Sequence, residues 1–508
     1  MRYLLLLFLA TGDLTAQDSL PARPNVLFIA VDDLRPEINA FGATQIVSPN
    51  LDSLAAAGAR FERAYCNVPV CGASRASILS GVRPTYNRFR HYYTQVDVEV
   101  PELTTLPEQF RENGYRTVAV GKVYHEPWDH AAQSWSEGPY TYGTDLLPYP
   151  EHSAGGWMNY VGEESARTLE KARATSGKPY QGALPWETVD TTDEAYFDGQ
   201  YARIAGEQLR GFAESGEPFF LAVGFVKPHL PFTAPRRYWD LYDRNAIQLS
   251  DNPELPEDAP EALRQFNWGE LRNYYGIPGK GPVSDSIART LLHGYYASVS
   301  FVDAQIGKVL AELRRTGLDR NTLVVLWGDH GYNLGEHGFW AKHINMETAM
   351  RTTLLMAGPQ VKPGVVEEVT ELVDLYPTLL EYCGLPGPAH ALAGESLMGR
   401  LKGDVGRGDV GRGDVGQDVR EGEGDYALSK YGDGITLIGR RYFYTEYHDA
   451  EGKVTDRMLY DHETDPGENV NLANRPAYGE LVERLHGELW ARLPEGYWEV
   501  GAVEYGGR

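Results

Sequence analysis

Asn25-Val26-Leu27-Phe28-Ile29-Ala30-Val31, closed by Asp32-Asp33, is the stretch whose reading decides the fold. An uninterrupted apolar run with β-branched and aromatic side chains is the mark of a strand buried on both faces, as in a parallel sheet. The pattern returns at Arg116 to Gly121, at Pro218 to Val226 and at Thr322 to Gly328. Helix patterns lie between these runs. Pro49 to Gly58 reads as a capped helix with a glycine stop, followed by a short strand from Ala59 to Tyr65. Leu106 to Asn113 and Glu194 to Glu214 read as helices. From Leu292, the positions Tyr295, Val299, Val302, Ile306, Val309 and Leu313 recur in steps of three and four towards Gly317, the stripe of a long core-facing helix. Leu354 to Met356 and Asp374 to Cys383 add a strand and a helix. The alternation predicts an α/β fold with a large, mainly parallel sheet flanked by helices.

Two stretches break this rhythm. Residues 126–197 are poor in periodic aliphatics and carry Trp128, Trp135, Tyr140, Tyr142, Tyr149, Trp157, Tyr160 and Trp186. They read as an aromatic-rich insertion, a lid or loop-rich cover whose rings either stack on sugars or pack onto the sheet. Near Pro386 the character changes again. Residues 403–416 repeat Gly-Asp-Val-Gly-Arg, a low-complexity run read as a solvated loop. Strands follow at Tyr426 to Tyr431, Ile435 to Tyr447 and Asp456 to Tyr460, then a helix with Leu481, Leu485, Leu489 and Leu493. The expected organisation is a catalytic domain over 24–386 and a smaller C-terminal α+β subdomain over 387–508 with an antiparallel sheet. Ahead of both, Arg2, the apolar run Leu4 to Ala10 and the small-residue site at Leu14-Thr15-Ala16 read as a secretory signal peptide over 1–16. That run is too short to span a bilayer, so a secreted or periplasmic protein without a transmembrane segment is expected.

The chain has 508 residues, 42% of them hydrophobic, and a net charge of −24. Such a charge argues against nucleic acid or an anionic membrane surface as partner. It also repels a polyanionic substrate, unless salt screens the long-range field and the pocket is locally basic. Three cysteines, Cys66, Cys71 and Cys383, make no disulfide framework, and at most one bridge if Cys71 is reserved for chemistry.

The chemistry gathers where the strands end. The four runs deliver Asp32-Asp33, Lys122 with His125, Lys227 with His229, and Asp329-His330. The carboxyl edge of an open α/β sheet is where ligands bind. One such pair is an ordinary solvated strand end; four at one edge are a site. Asp32, Asp33 and Asp329 repel one another unless a cation intervenes, and oxygen-rich ligation favours Ca²⁺ or Mg²⁺, with nitrogen added if His330 is a ligand. Pro69-Val70-Cys71-Gly72-Ala73-Ser74-Arg75 runs into small, helix-compatible residues from Ser74 towards Gly81, which sets Cys71 beside unpaired backbone N–H groups at a positive dipole end.

Cys71-Gly72-Ala73-Ser74-Arg75 resembles the signature of the formylglycine-dependent (type I) sulfatases, with Ala73 where Pro or Ala is usual. Gly121-Lys122 with His125, Lys227-Pro228-His229, Gly328-Asp329-His330-Gly331 and Trp340-Ala341-Lys342-His343 are similar to that family, and within it to the iduronate-2-sulfatase-like branch. Leu372 to Pro377 and Leu459 to Asn471 resemble its later landmarks.

The resemblance implies an alkaline-phosphatase-like sandwich. It implies that a formylglycine-generating enzyme converts Cys71 to formylglycine (3-oxoalanine). It also implies one Ca²⁺ per chain, held by Asp32, Asp33, Cys71, Asp329 and His330. One hydroxyl of the hydrated aldehyde attacks sulfur, and the second later collapses to expel sulfate. In that scheme His125 is the base and Arg75 and Lys122 hold the modified side chain. Lys342 and His229 neutralise sulfate oxygens, with His229 protonating the leaving alcohol. Arg88, His91, Tyr92, Trp340 and His343 are the expected substrate rim.

The expected function is an exported sulfatase acting on a sulfated carbohydrate, with a 2-O-sulfated uronic acid as the unit the branch implies. The alternatives are a phosphonate or phosphodiester hydrolase on the same scaffold, and a non-catalytic glycan-binding relative with Cys71 left as a thiol. A two-zinc phosphatase is disfavoured, because it would place Ser or Thr at position 71 and need more metal ligands.

Overall fold

The computed structural model describes residues 23–150, 153–176, 182–264, 269–403, 426–499, 501 and 505. The signal-peptide reading of 1–16 and all but the first residue of the 403–416 repeat lie outside these residues.

Eight strands form one sheet: β1 (Asn25–Val31), β2 (Ala59–Tyr65), β3 (Arg116–Gly121), β4 (Glu137–Tyr140), β5 (Phe219–Phe225), β6 (Thr322–Gly328), β7 (Leu354–Ala357) and β8 (Gly364–Glu371). Their order across the sheet is β8-β2-β7-β6-β1-β5-β3-β4. Neighbours pair parallel except at β7, which runs antiparallel to both β6 and β2. Every residue of β1 is buried, because helices cover both faces. Leu27, Ile29 and Val31 face one core layer with the helices Phe197–Ser215 and Asp285–Arg315. Val26, Phe28 and Ala30 face the other, with the helices Cys71–Ser80, Leu106–Glu112 and Leu375–Cys383. Phe28 lies between Phe220 and Trp327, ring centroids 5.5 and 5.2 Å away. The Asp285–Arg315 helix begins where Ser284 Oγ accepts the Ile287 N–H, and carries Asp285 in its first turn and Arg314 and Arg315 in its last, as its dipole favours.

A second sheet of four antiparallel strands, β9 (Ala427–Tyr431), β10 (Gly434–Ile438), β11 (Tyr442–His448) and β12 (Val454–Asp461), packs Leu428, Ile435, Leu437 and Leu459 against Leu485 and Leu489 of the Gly479–Arg492 helix. Tyr86, from the loop after the Cys71–Ser80 helix, joins that core.

The structure corrects three expectations. The run from Ile435 to Tyr447 is two strands, because Gly439-Arg440-Arg441 turns the chain between them. β8 was not expected, since Glu367 and Glu368 interrupt its apolar pattern where the register shifts. The insertion is not only loop: it contributes β4 to the edge of the main sheet and a helix at Glu163–Ser176. Its rings divide, with Trp135, Tyr142 and Tyr160 buried and Trp128 and Tyr149 exposed. All three cysteines are free and buried, so the one permitted bridge does not form.

Candidate active site

The four strands ending in polar pairs lie side by side in the order β6-β1-β5-β3. Adjacency in the sheet therefore does what sequence spacing could not, and gathers Asp329-His330, Asp32-Asp33, Lys227-Pro228-His229 and Lys122 at one edge. Cys71 arrives six residues after β2 as the first residue of its helix rather than three residues ahead of it. The helix starts so early because Ser74 N already donates to Val70 O, and it stops at Gly81, which adopts φ 71°. Gly72 is required by contact: a Cβ there would stand 1.9 Å from the carbonyl oxygen of Tyr92.

Around Cys71 each carboxylate has its own cation. Lys122 Nζ lies 2.6 Å from Asp32, and Lys342 Nζ lies 2.8 and 2.9 Å from the two oxygens of Asp33. Arg75 donates through Nε to Asp329 at 3.0 Å and through Nη2 to Asp32 at 3.2 Å, and its Nη1 donates to the carbonyls of Lys122 and Val123. Three basic side chains thus share with any metal the task of offsetting these carboxylates, which the argument from repulsion alone did not count. Glu270 shifts the balance. Its carboxylate lies 3.1 Å from Lys342 Nζ and 3.2 Å from His229 Nε2, so four carboxylates face three cations. Asp32 and Asp33 divide accordingly. Against the opposing effect of burial, Lys122, His229 and Arg75 hold Asp32 well below the usual carboxylate range. Burial pushes Asp33 well above it, and Lys342 does not offset the added repulsion of Asp32, Glu270 and Asp329.

These donors fit a divalent ion. One oxygen each of Asp32 and Asp33, Cys71 Sγ and a nitrogen of His229 all lie within 4.8 Å of one another, as do Cys71, Asp329 and His330. His330 donates from Nδ1 to Gly331 O at 2.8 Å, which turns the Nε2 lone pair towards Cys71 Sγ at 3.3 Å and Asp33 Oδ1 at 3.5 Å. A divalent ion held here would add positive charge beside Lys122, Lys342 and Arg75, a field suited to an anion.

Burial pushes the Cys71 thiol well above its usual range, so an unmodified Cys71 is held protonated and is a poor nucleophile. Burial and Lys122 push the His125 imidazole well below its usual range, and its buried Nδ1 has no hydrogen-bond partner among the described residues. His125 and Lys122 line a small cavity with Trp135 and Thr141. His229 has Leu230 O beside Nδ1 and Glu270 beside Nε2, while Trp157 of the insertion meets its ring edge-on at 5.5 Å.

The expected rim is only partly assembled. The backbones of His91 and Tyr92 lie against Gly72, and the Tyr92 ring, 59% exposed, meets His125 at 5.9 Å. His343 donates its N–H to Pro69 O and stacks on Tyr431 at 5.7 Å. Arg88 turns to Arg83 O and the Phe89 ring. Trp340 is buried, its backbone paired with Leu334, as Lys342 two residues on is buried. Glu270 was not foreseen as a site residue, and Lys227, read as part of a polar strand end, was given no catalytic role. Glu270 sits in a loop without periodicity, and no signal in the sequence marks it. Lys227 is buried, donates to His229 O and Pro231 O, and is pushed down to about 8 by that burial.

The profile of the Sulfatase family matches residues 24–385, and that of the N-sulphoglucosamine sulphohydrolase C-terminal region matches 335–494. Iduronate 2-sulfatase of Mus musculus is 32% identical over 398 residues, covering 72% of this chain and 69% of its own. A sulfatase of Formosa agariphila is 30% identical over 480 residues, covering 91% and 85%. Among solved structures, the phosphonate monoester hydrolase of Agrobacterium radiobacter superposes with a TM-score of 0.70 at 24% identity, covering 92% of this chain and 95% of its own. A 2-O GAG sulfatase superposes with a TM-score of 0.63 at 23% identity, covering 92% and 91%. These likenesses establish the alkaline-phosphatase-like fold.

Proposed function

Because the chain belongs to the sulfatase family and is a sulfuric ester hydrolase, we propose that it is an exported enzyme that removes sulfate from a carbohydrate, with a 2-O-sulfated uronic acid as the reacting unit. The observation that carries the mechanism is the position of Cys71: first residue of a buried helix, 3.3 Å from His330 and within 4.8 Å of the Asp32 and Asp33 carboxylates, yet held protonated as a thiol. Formylglycine at position 71 would supply a geminal-diol nucleophile, and Ca²⁺ held by Asp32, Asp33, Asp329 and His330 would supply Lewis acidity. The iduronate 2-sulfatase relatives and the 2-O GAG sulfatase neighbour support the choice of substrate.

The chain's own residues have distinct tasks. Arg75, fixed by two carboxylates and two carbonyls, holds the strand ends in register. Lys122, paired with Asp32, would hold the modified side chain at position 71, and Lys342, paired with Asp33, would bring positive charge to the sulfate oxygens. His125, neutral and with a free Nδ1, can take a proton. His229, with Nδ1 on Leu230 O, would protonate the leaving alcohol from Nε2 only as the imidazolium, which Glu270 at 3.2 Å favours and which burial and Lys342 oppose.

The test is mass spectrometry of the Cys71 peptide from protein made with and without a formylglycine-generating enzyme, paired with sulfate release from a panel of sulfated sugars. Conversion that tracks sulfate release is the expected result. Full conversion with turnover of phosphonate or phosphate esters alone would replace the proposal with the phosphonate hydrolase reading. A thiol that is never converted, with glycan binding retained, would replace it with the binding-protein reading.

A further inference from the structure

The reaction centre holds a carboxylate that its pairing does not require. Lys342 Nζ is already held by both oxygens of Asp33, at 2.8 and 2.9 Å. Glu270 nevertheless brings a second carboxylate to it, with Oε2 at 3.1 Å and Oε1 at 3.4 Å. The same Oε1 lies 3.2 Å from His229 Nε2. Oε2 is buried and makes no hydrogen bond among the described residues, a cost that the local structure does not offset. Glu270 is thus a surplus anion set between the side chain proposed for the sulfate oxygens and the one proposed for the leaving alcohol.

The main chain keeps it there. Leu271 is buried, and Asn273 Nδ2 donates to Gly269 O at 2.7 Å across residue 270. The same turn is tied to the insertion, where Gly182 N donates to Asn273 O and Tyr275 N donates to Ala183 O, both at 2.7 Å. The charge at position 270 therefore stays close to any anion that Lys342 holds.

What such a charge does depends on the charge of the ligand. A sulfate monoester carries a single negative charge. At a pH of about 8, above its second ionisation at about 6, a phosphate monoester of the same shape carries close to two. The extra charge repels Glu270. At a separation of about 4 Å that repulsion disfavours the dianion by about fivefold at the dielectric constant of water, and by about a thousandfold at an effective value of about 20.

We propose that Glu270 is a specificity-determining residue, a fixed anion beside Lys342 and His229 that admits singly charged esters and rejects dianionic phosphate monoesters. It rests on the reading that Lys342 holds the sulfate oxygens. A phosphonate monoester also carries one charge, so the filter passes it.

The experiment measures calorimetric binding of methyl sulfate and methyl phosphate, at a pH of about 8, to the wild type, Glu270→Gln and Lys342→Met. Glutamine keeps the length and shape of the Glu270 side chain and removes its charge, on a partly exposed loop position where the substitution does not threaten folding. Glu270→Gln should lower the Kd of methyl phosphate, relative to that of methyl sulfate, by at least about fivefold. An effect common to both ligands, including one exerted through His229, cancels in this ratio. A smaller shift, or methyl phosphate bound by neither protein, overturns the filter. If Lys342→Met then still weakens methyl sulfate, the role of Lys342 stands without it. A shift that depends on Glu270 in a protein whose methyl sulfate affinity Lys342→Met leaves intact supports the filter and overturns that role. Lys342 is buried, so should its variant fail to fold, Glu270→Gln alone decides the filter.

Discussion

Replacing Arg75 by methionine tests the charge balance of the site directly. The Arg75 side chain and those of Asp32 and Asp329 are all fully buried, and Arg75 is paired with both carboxylates. Methionine roughly fills the space but leaves both anions without that partner. Removing one member of a buried ion pair costs about 3–5 kcal/mol, because the remaining charge is neither solvated nor paired. With an unfolding entropy of about 2.1 cal/mol/K per residue over a domain of about 350 residues, that is a fall in Tm of roughly 4–7 °C. The assay is thermal unfolding by circular dichroism, in chelator and in millimolar Ca²⁺. The deficit should be largest in chelator and should narrow with Ca²⁺, which supplies positive charge to the same two carboxylates. Arg75→Lys should fall between, since it keeps the charge but cannot span both partners. A deficit under about 1 °C in chelator would refute the claim that Arg75 offsets these carboxylates. A deficit unchanged by Ca²⁺ would refute the claim that the ion binds them.

Three further outcomes are expected. Chelation should lower the wild-type Tm by roughly 4 °C relative to Ca²⁺ at a hundred times its Kd, a binding contribution of about 2.7 kcal/mol; coincident melting curves would exclude binding at that strength. His125→Ala should reduce kcat by about 10²–10⁴. Burial and Lys122 lower the His125 pKa, so protonation is deferred to lower pH; the acid limb of wild-type kcat should fall below the ordinary histidine value of about 6.5, and a limb above it would contradict His125 as the base. Away from the site, His130 is clamped between Asp97 at 2.6 Å and Glu108 at 2.8 Å, and these bonds raise its pKa against the pull of burial. A raised folded-state pKa gives stability that is fully present below the unfolded value and lost as pH rises through the folded one. The Tm advantage of wild type over His130→Gln should therefore be greatest in acid and shrink towards alkaline pH; a pH-independent difference would refute the charged clamp.

The sequence by itself determined the local features. A run such as Asn25 to Val31 has no polar side chain after its first residue, so burial on both faces, and with it a covered parallel sheet, follows from composition alone. The same holds for the Asp285–Arg315 helix, whose stripe of Tyr295, Val299, Val302 and Ile306 needs only a 3.6-residue period. The motif around Cys71 and the polar strand ends were legible because each is a short contiguous string. Tertiary structure decided everything that depends on which strings become neighbours. The sheet order placed β6, β1, β5 and β3 together, so Asp329 could meet Asp32 across almost three hundred residues of chain. It brought three cations to three carboxylates, which the sequence reading had assigned to a metal alone. It brought Glu270 in from an unpatterned loop. Hydrophobic periodicity is a property of adjacent residues, whereas charge compensation and burial depend on every group within a few ångströms, and those groups come from distant parts of the chain.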